Sequence, residues 1–328
     1  MNICRNLRLA KGTDASGQPI KRTLGSLTAL GGLIMQQLFD HIKILDHDKY
    51  TLPYCNCLLI EDDLNCLVDS SPHPKQRACL EGKKIDLIVN SHAHSDHNSC
   101  NHLFTEARVL LHPAEHERAA SGETYLTAYG YYRFPDEATR PFYLDAVQYH
   151  ARPADDELND GMKISTGALE FEVIALPGHS IGHCGFFFPR QGFIYTADIN
   201  LNIKPIYAML DSSVDDYISS LERLREIKAD MLVGGHGPAL YTENLDSRLR
   251  EYQNEILSRE EQILKMVKGG TSDIPQIAEQ AICFGGRFPE PRSVYYMHEC
   301  VMALHHLERL ERLGEVVCHE DRYYPARG

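Results

Sequence analysis

Between Ile85 and Cys100 the chain runs a short apolar stretch straight into four side chains able to bind a metal, and few folds can use such a sequence. Ile85, Leu87, Ile88 and Val89 supply the apolar run that a buried strand needs. His92, His94, Asp96 and His97 then fall within six residues. Imidazole and carboxylate are ligands for zinc and other borderline divalent metals, and such groups on alternate residues of an extended turn point the same way. His92 and His94 can therefore grip one metal from one side, while Asp96 and His97 follow the turn and can face a second. The plain alternative is a solvated histidine-rich loop. Two neighbouring histidines often mean no more than that, but four ligand types directly after a strand argue against it.

Three more segments share the same grammar. Pro177-Gly178-His179-Ser180 follows the apolar stretch Phe171 to Leu176, and Thr196-Ala197-Asp198 follows Gly192 to Tyr195. Gly234-Gly235-His236-Gly237-Pro238 follows Met231-Leu232-Val233. Each puts a ligand type just past a strand, beside glycine or another small residue that lets backbone come close.

His92, His94, Asp96 and His97 as HxHxDH, followed by PGHS, AD and GHG, resemble the metallo-β-lactamase-fold hydrolases over about Leu38 to Leu240. The resemblance implies an α/β fold, an αββα sandwich with a two-metal site along one edge of its packed sheets. It implies that His92, His94 and His179 hold one metal and that Asp96, His97 and His236 hold the other. Asp198 would bridge them, and Asp96 would also orient the bridging hydroxide. Asp69, which ends the strand Leu64 to Val68, would position metal ligands by hydrogen bonding. The family usually follows that aspartate with Thr-Gly, whereas this chain has Ser70-Ser71.

The 328 residues suffice for one large domain and a small one. Residues 1–34 read as an N-terminal extension, 35–244 as the catalytic domain and 245–328 as a separate C-terminal unit. Early strands are expected at His41 to Ile44 and Tyr54 to Ile60, with a turn at Glu61-Asp62-Asp63 before Leu64. Cys55 and Cys57 read as small residues on one buried face. Residues 122–153 form an insertion rich in rings, among them Tyr125, Tyr129, Tyr131, Tyr132, Phe142 and Tyr143, suited to a substrate lid or to plain packing. His112, His116 and His150 match no motif. A helix is expected over Asp215 to Ile227. In the tail, Leu245 to Val267, Ile274 to Ile282 and Val294 to Leu313 read as helices, followed by a hairpin around His319-Glu320-Asp321. That order is winged-helix-like and resembles the C-terminal domain of the lactamase-β-like-2 branch, which includes a single-strand ribonuclease and polyketide thioesterases. A lid or homodimer contact is the preferred role for it.

A net charge of −13 disfavours a nucleic-acid partner, because phosphate binding needs a basic patch. No apolar run is long enough to span a membrane, and ten scattered cysteines show no disulfide framework, which points to a reduced, cytoplasmic setting. The expected cofactors are two divalent ions, zinc by default with iron or manganese as alternatives. Such a pair lowers the pKa of a shared water toward 7 and polarises the substrate oxygen, so no Ser or Cys nucleophile is required. The expected reaction is hydrolysis of a carboxylic ester, thioester or lactone on a small-molecule acyl substrate. The alternative is a phosphodiesterase, endoribonuclease-like, acting on single-stranded nucleic acid. Zinc β-lactamases typically lack the bridging aspartate, which disfavours antibiotic hydrolysis. A third reading, a binding protein with a degenerate site, conflicts with the complete ligand set.

Overall fold

The computed structural model describes residues 27–30, 33–46, 52–134 and 139–326. Its first sheet runs in chain order through β1 (Leu27–Leu30), β2 (Leu33–Phe39), β3 (Ile42–Leu45), β4 (Cys57–Ile60), β5 (Cys66–Val68), β6 (Leu87–Val89), β7 (Arg108–Leu111) and β8 (Asp156–Glu157). Neighbours are antiparallel up to β5 and parallel beyond it. The second sheet contains β9 (Lys163–Ser165), β10 (Glu170–Ala175), β11 (Cys184–Phe188), β12 (Phe193–Ala197), β13 (Met231–Gly234) and β14 (Leu240–Tyr241). Only β12 and β13 pair in parallel there. The boundary expected between residues 34 and 35 falls inside β2, whose backbone pairs with β1. Of the extension expected over residues 1–34, residues 1–26, 31 and 32 lie outside the described residues.

Strand alternation sorts the apolar residues into layers. Leu58 and Ile60 of β4, Phe193 and Tyr195 of β12, and Met231 and Val233 of β13 point between the sheets into a common core. Cys57 and Leu59 face the other way, joining Cys55, Leu80 and Phe104 under the first sheet. Ile194 and Leu232 likewise turn outward, onto helices covering the second sheet. Each such side chain, fully buried, stabilises the fold by about 1.5–3 kcal/mol relative to exposure. The sandwich and its helical outer layers match the expected αββα architecture.

The helices are α1 (Pro74–Arg77), α2 (Ser95–Asn98), α3 (His116–Ala120), α4 (Gly122–Ala128), α5 (Arg140–Ala146), α6 (Val214–Ile227), α7 (Leu245–Lys268), α8 (Ile274–Ala278) and α9 (Arg292–Arg312). Ser213 caps α6, its side chain accepting from Asp216 N, and Gly270 at φ +98° turns the chain away after α7. The tail closes with the hairpin β15 (Val316–His319) and β16 (Arg322–Pro325), in the expected order of helices and hairpin. It has a core of its own around Ile263, Ile277, Leu307 and Tyr323. It is nevertheless fused to the sandwich, because Leu249, Tyr252, Ile256 and Met302 pack with Tyr217 of α6 and Leu232 of the second sheet.

The insertion both packs and faces the site. Tyr125, Tyr129, Tyr131 and Tyr143 cluster with Met209 and with Met297 of α9, whereas Phe142 is 68% exposed. The nine cysteines among the described residues are free thiols. Among those residues, no helix is long and apolar enough to cross a membrane.

Candidate metal centre

The strand ends deliver their ligand types to one place. His92, His94, Asp96 and His97 follow β6, with Asp96 and His97 on the short α2. His179 follows β10, Asp198 follows β12 and His236 follows β13. One set of donor atoms, from His92, His94, His179 and Asp198, lies within 4.8 Å of one another, and so does a second set from Asp96, His97 and His236. All seven residues expected at the site are thus together.

The Asp198 carboxylate reaches both sets. Its Oδ1 stands 2.9 Å from His97 Nε2 and 3.1 Å from His236 Nε2, while its Oδ2 stands 3.1 Å from His179 Nε2. A register shift between Tyr195 and Ala197 and a left-handed Ala197, at φ +44°, re-aim the chain just before this residue. Two glycines give the room. A Cβ on Gly178, at φ +128°, would overlap the backbone of Tyr217, and one on Gly235 would sit 2.9 Å from His97 Cε1.

Hydrogen bonds on the outer side of each ring set which nitrogen faces inward. His97 Nδ1 donates to Asp69 Oδ2 at 2.7 Å, His179 Nδ1 to Ile206 O at 2.8 Å and His236 Nδ1 to Tyr54 O at 3.1 Å. His92 Nδ1 lies 2.9 Å from Ser91 Oγ, whose own hydrogen goes to Asp69 Oδ2. With the outer nitrogens protonated, the four inner Nε2 atoms present lone pairs. His179 Nε2 is 3.2 Å from His92 Nε2 and 2.9 Å from His94 Nδ1, and His97 Nε2 is 3.1 Å from His236 Nε2. Lone pairs so close repel unless a cation sits among them, and nitrogens around tetrahedral zinc, with bonds of about 2.0–2.1 Å, lie ~3.3 Å apart. Asp198 Oδ1 is buried without a hydrogen-bond donor, despite its three-ångström approach to two imidazoles. The donor set fits divalent metal.

Charge follows the same plan. Burial first, then the neighbouring His97 and His94, hold His92 well below the usual histidine range. Burial alone would raise Asp198, but His236, His97 and His179 outweigh it and hold the carboxyl well below its ordinary value. Asp69 is fully buried and accepts from Ser91 N, Ser91 Oγ, His97 and Tyr195. Ser70 and Ser71 complete its turn through Asn101 and Ser99, with Asp69 itself at φ +55°.

Two supports were missed in the sequence. Glu115, fully buried, accepts from Ala93 N at 3.2 Å, Ser180 Oγ at 2.7 Å and Gly182 N at 2.9 Å, tying the two ligand loops together. His183 donates Nδ1–H to Leu176 O and accepts Asp198 N–H at Nε2, over 3.2 Å. Burial, helped by His179, pushes it down to about 3, so it stays neutral and can do both. Its place four residues after His179 was the available signal. His112 and His116 stay away from the donors; His116 hydrogen-bonds Leu111 O, and the His150 ring lies tilted against His102, centroids 4.0 Å apart.

A cavity of about 90 Å³ opens over Asp96, His179 and Asp198. Tyr125, Tyr129, Tyr143 and Ile206 line it, together with Tyr295 and His298 of α9. Among the described residues, no Lys or Arg lines it.

A family model described as "Metallo-beta-lactamase superfamily" matches residues 50–236. A beta-lactamase-like protein 2 homolog of Caenorhabditis elegans is 23% identical over 251 residues, covering 71% of this chain and 73% of that protein. The acyl-coenzyme A thioesterase MBLAC2 of Homo sapiens is 30% identical over 148 residues, covering 43% of this chain and 50% of that protein. The chain therefore spans only half the length of that thioesterase. The crystal structure of a metallo-beta-lactamase family protein from Thermus thermophilus superposes with a TM-score of 0.68 at 22% identity, covering 88% of this chain and 100% of that one, a likeness of fold.

Proposed function

The chain belongs to the metallo-beta-lactamase superfamily, and from that premise we propose that this metal-dependent hydrolase binds two divalent ions and cleaves a carboxylic thioester or ester. The observation that carries the binuclear reading is the division of the Asp198 carboxylate, one oxygen toward His97 and His236 and the other toward His179. His92, His94 and His179 would hold one ion, Asp96, His97 and His236 the other, with Asp198 between them. Bound there, the ions would supply a hydroxide nucleophile at neutral pH and a Lewis acid for the carbonyl oxygen.

The chain's own residues do the rest. Asp198 would hold negative charge toward both donor sets and so favour cations there. Asp69 holds the His97 ring in the tautomer that turns Nε2 inward. Tyr125, Tyr129 and Tyr143 offer ring faces to an apolar acyl group and exclude water around it. A cavity lined without Lys or Arg does not suit a polyanion, which disfavours the phosphodiesterase reading. The name of the human relative, an acyl-coenzyme A thioesterase, supports the thioester as the first class to test.

The test is a panel of acyl-coenzyme A thioesters, p-nitrophenyl esters, lactones and bis-p-nitrophenyl phosphate with metal-loaded protein. Turnover of thioesters or esters, little changed by salt, is the expected result. Faster cleavage of the phosphodiester or of single-stranded RNA than of every acyl substrate would reverse the assignment.

A further inference from the structure

The cavity above the metal centre is closed by a side chain from outside the family-matched residues 50–236. His298 lies on α9, and its Nε2 is buried with no hydrogen-bond partner. Its ring stacks on Tyr129 at 5.6 Å and 28°, and Tyr129 in turn lies 5.2 Å from His94. Tyr295, one turn earlier on the same helix, meets it edge-on at 6.0 Å. These contacts fix the ring at the aromatic end of the cavity, where Tyr125, Tyr129 and Tyr143 are all buried, while Leu52 on the lining is 41% exposed. Buried polar atoms are almost always hydrogen-bonded, so an orphan nitrogen on a residue that lines the cavity is available to a ligand group that reaches it.

We propose that His298 is a substrate-contacting residue, whose Nε2 hydrogen-bonds an oxygen carried by the acyl group, so that the enzyme selects oxygenated acyl chains (hydroxy- or oxo-acyl) over plain alkyl or aryl ones. The inference rests on the reading of the cavity as an acyl site. Burial, with His179 nearby, pushes His298 down to about 4, so at neutral pH one ring nitrogen carries a hydrogen and the other a lone pair. Either form can meet a hydroxyl, which donates and accepts, and the N–H form meets a carbonyl. A larger leaving group leaves by the open end, past Leu52, and so does not compete for this nitrogen. Specificity follows from the physics of burial: an acyl chain without the oxygen fills the cavity yet strands the imidazole nitrogen, and sites built this way reject the stripped analogue strongly.

The experiment compares hydroxy- and oxo-acyl thioesters with their deoxy parents, in both short-chain and benzoyl series, on metal-loaded wild type, His298→Phe and His298→Gln. Wild type should prefer at least one oxygenated member by ~10-fold or more in kcat/KM. In His298→Phe, which keeps a ring against Tyr129, that ratio should collapse toward one, mainly through KM, with metal content unchanged. His298→Gln should keep much of the preference, since its amide can still hydrogen-bond. Calorimetric titration with the free hydroxy acid and its deoxy analogue gives a readout independent of turnover and should show the same loss of discrimination. If wild type hydrolyses acyl substrates without preference, or His298→Phe retains the ratio, the proposal is wrong. If wild type hydrolyses no acyl substrate at all, it is the acyl reading of the cavity that fails. Should His298→Phe not fold, His298→Leu carries the same comparison.

Discussion

The hydroxyl of Tyr195 and Oδ2 of Asp69 stand 2.8 Å apart beneath the metal centre, joining the last turns of two different sheets. Tyr195 comes from β12, whereas Asp69 ends β5. The same carboxylate oxygen accepts from His97 and Ser91, so one buried anion sets both a metal ligand and the spacing between sheets.

Replacing Asp69 with Asn puts an amide N–H₂ among donors that all need an acceptor. The cost should be roughly 2–4 kcal/mol of stability, as for a broken buried network. Metal affinity should fall by about 10–100-fold as His97 loses its anchor. Tyr195→Phe removes only one donor and should lower both far less. Denaturant titration and competition with a metal-sensitive dye measure the two effects.

Wild-type protein never exposed to chelator should contain about two metal ions per chain by elemental analysis. Asp198→Asn keeps the shape of the side chain and removes the charge between the cations. At least one ion should bind more weakly, and turnover should fall by ~10²-fold or more. A variant retaining both ions and full turnover would remove Asp198 from the site.

Gly178→Ala places a methyl group against the backbone of Tyr217 in α6, at a φ that alanine avoids. A loss of about 2–4 kcal/mol is expected, from overlap together with backbone strain. Because His179 is the next residue, metal binding should weaken too. Urea unfolding of the metal-free protein isolates the first effect.

Acid should loosen the contact between α6, α7 and α9. Burial alone would raise the Glu260 carboxyl, but hydrogen bonds from His306 and Arg309 hold it below its ordinary value. His306 is itself lowered, chiefly by burial. For both groups the unfolded chain binds protons more readily, so their stabilisation is present at neutral pH and is lost as pH falls. The loss should begin near the unfolded histidine value of about 6.5 and continue below about 4.3. Glu260→Gln should be destabilised at pH 7, and the gap from wild type should narrow by pH 4.

The seven donor residues were legible because each follows an apolar strand, where even a short sequence window shows both the strand and the ligand. The pairing of donors into two sets rested on the resemblance and is consistent with the distances. Glu115 left no mark, because its partners are backbone N–H groups of two loops brought together only by folding. His298 was hidden for a related reason: within the continuous helix Arg292–Arg312, nothing local separates it from an ordinary packing residue. The strand expected from Leu64 begins at Cys66, since Leu64 is 44% exposed and belongs to the turn. Residues 122–153 could be read only as lid, packing or rings shared by both, and the sequence did not say which ring does what. Tyr125, Tyr129 and Tyr143 do both, while Phe142 does neither.

The first sheet contributes four of the donor residues, and the second contributes three. Ions held by both sheets would rivet the halves of the sandwich, so occupancy and folding become a single linked equilibrium. At a free metal concentration a thousand times the dissociation constant, the folded form would gain about 4.1 kcal/mol per independent site. A chelator would then act as a remote denaturant, lowering the melting temperature without touching a single apolar contact. Metal scarcity in a cell would govern how long the molecule survives as well as how fast it works.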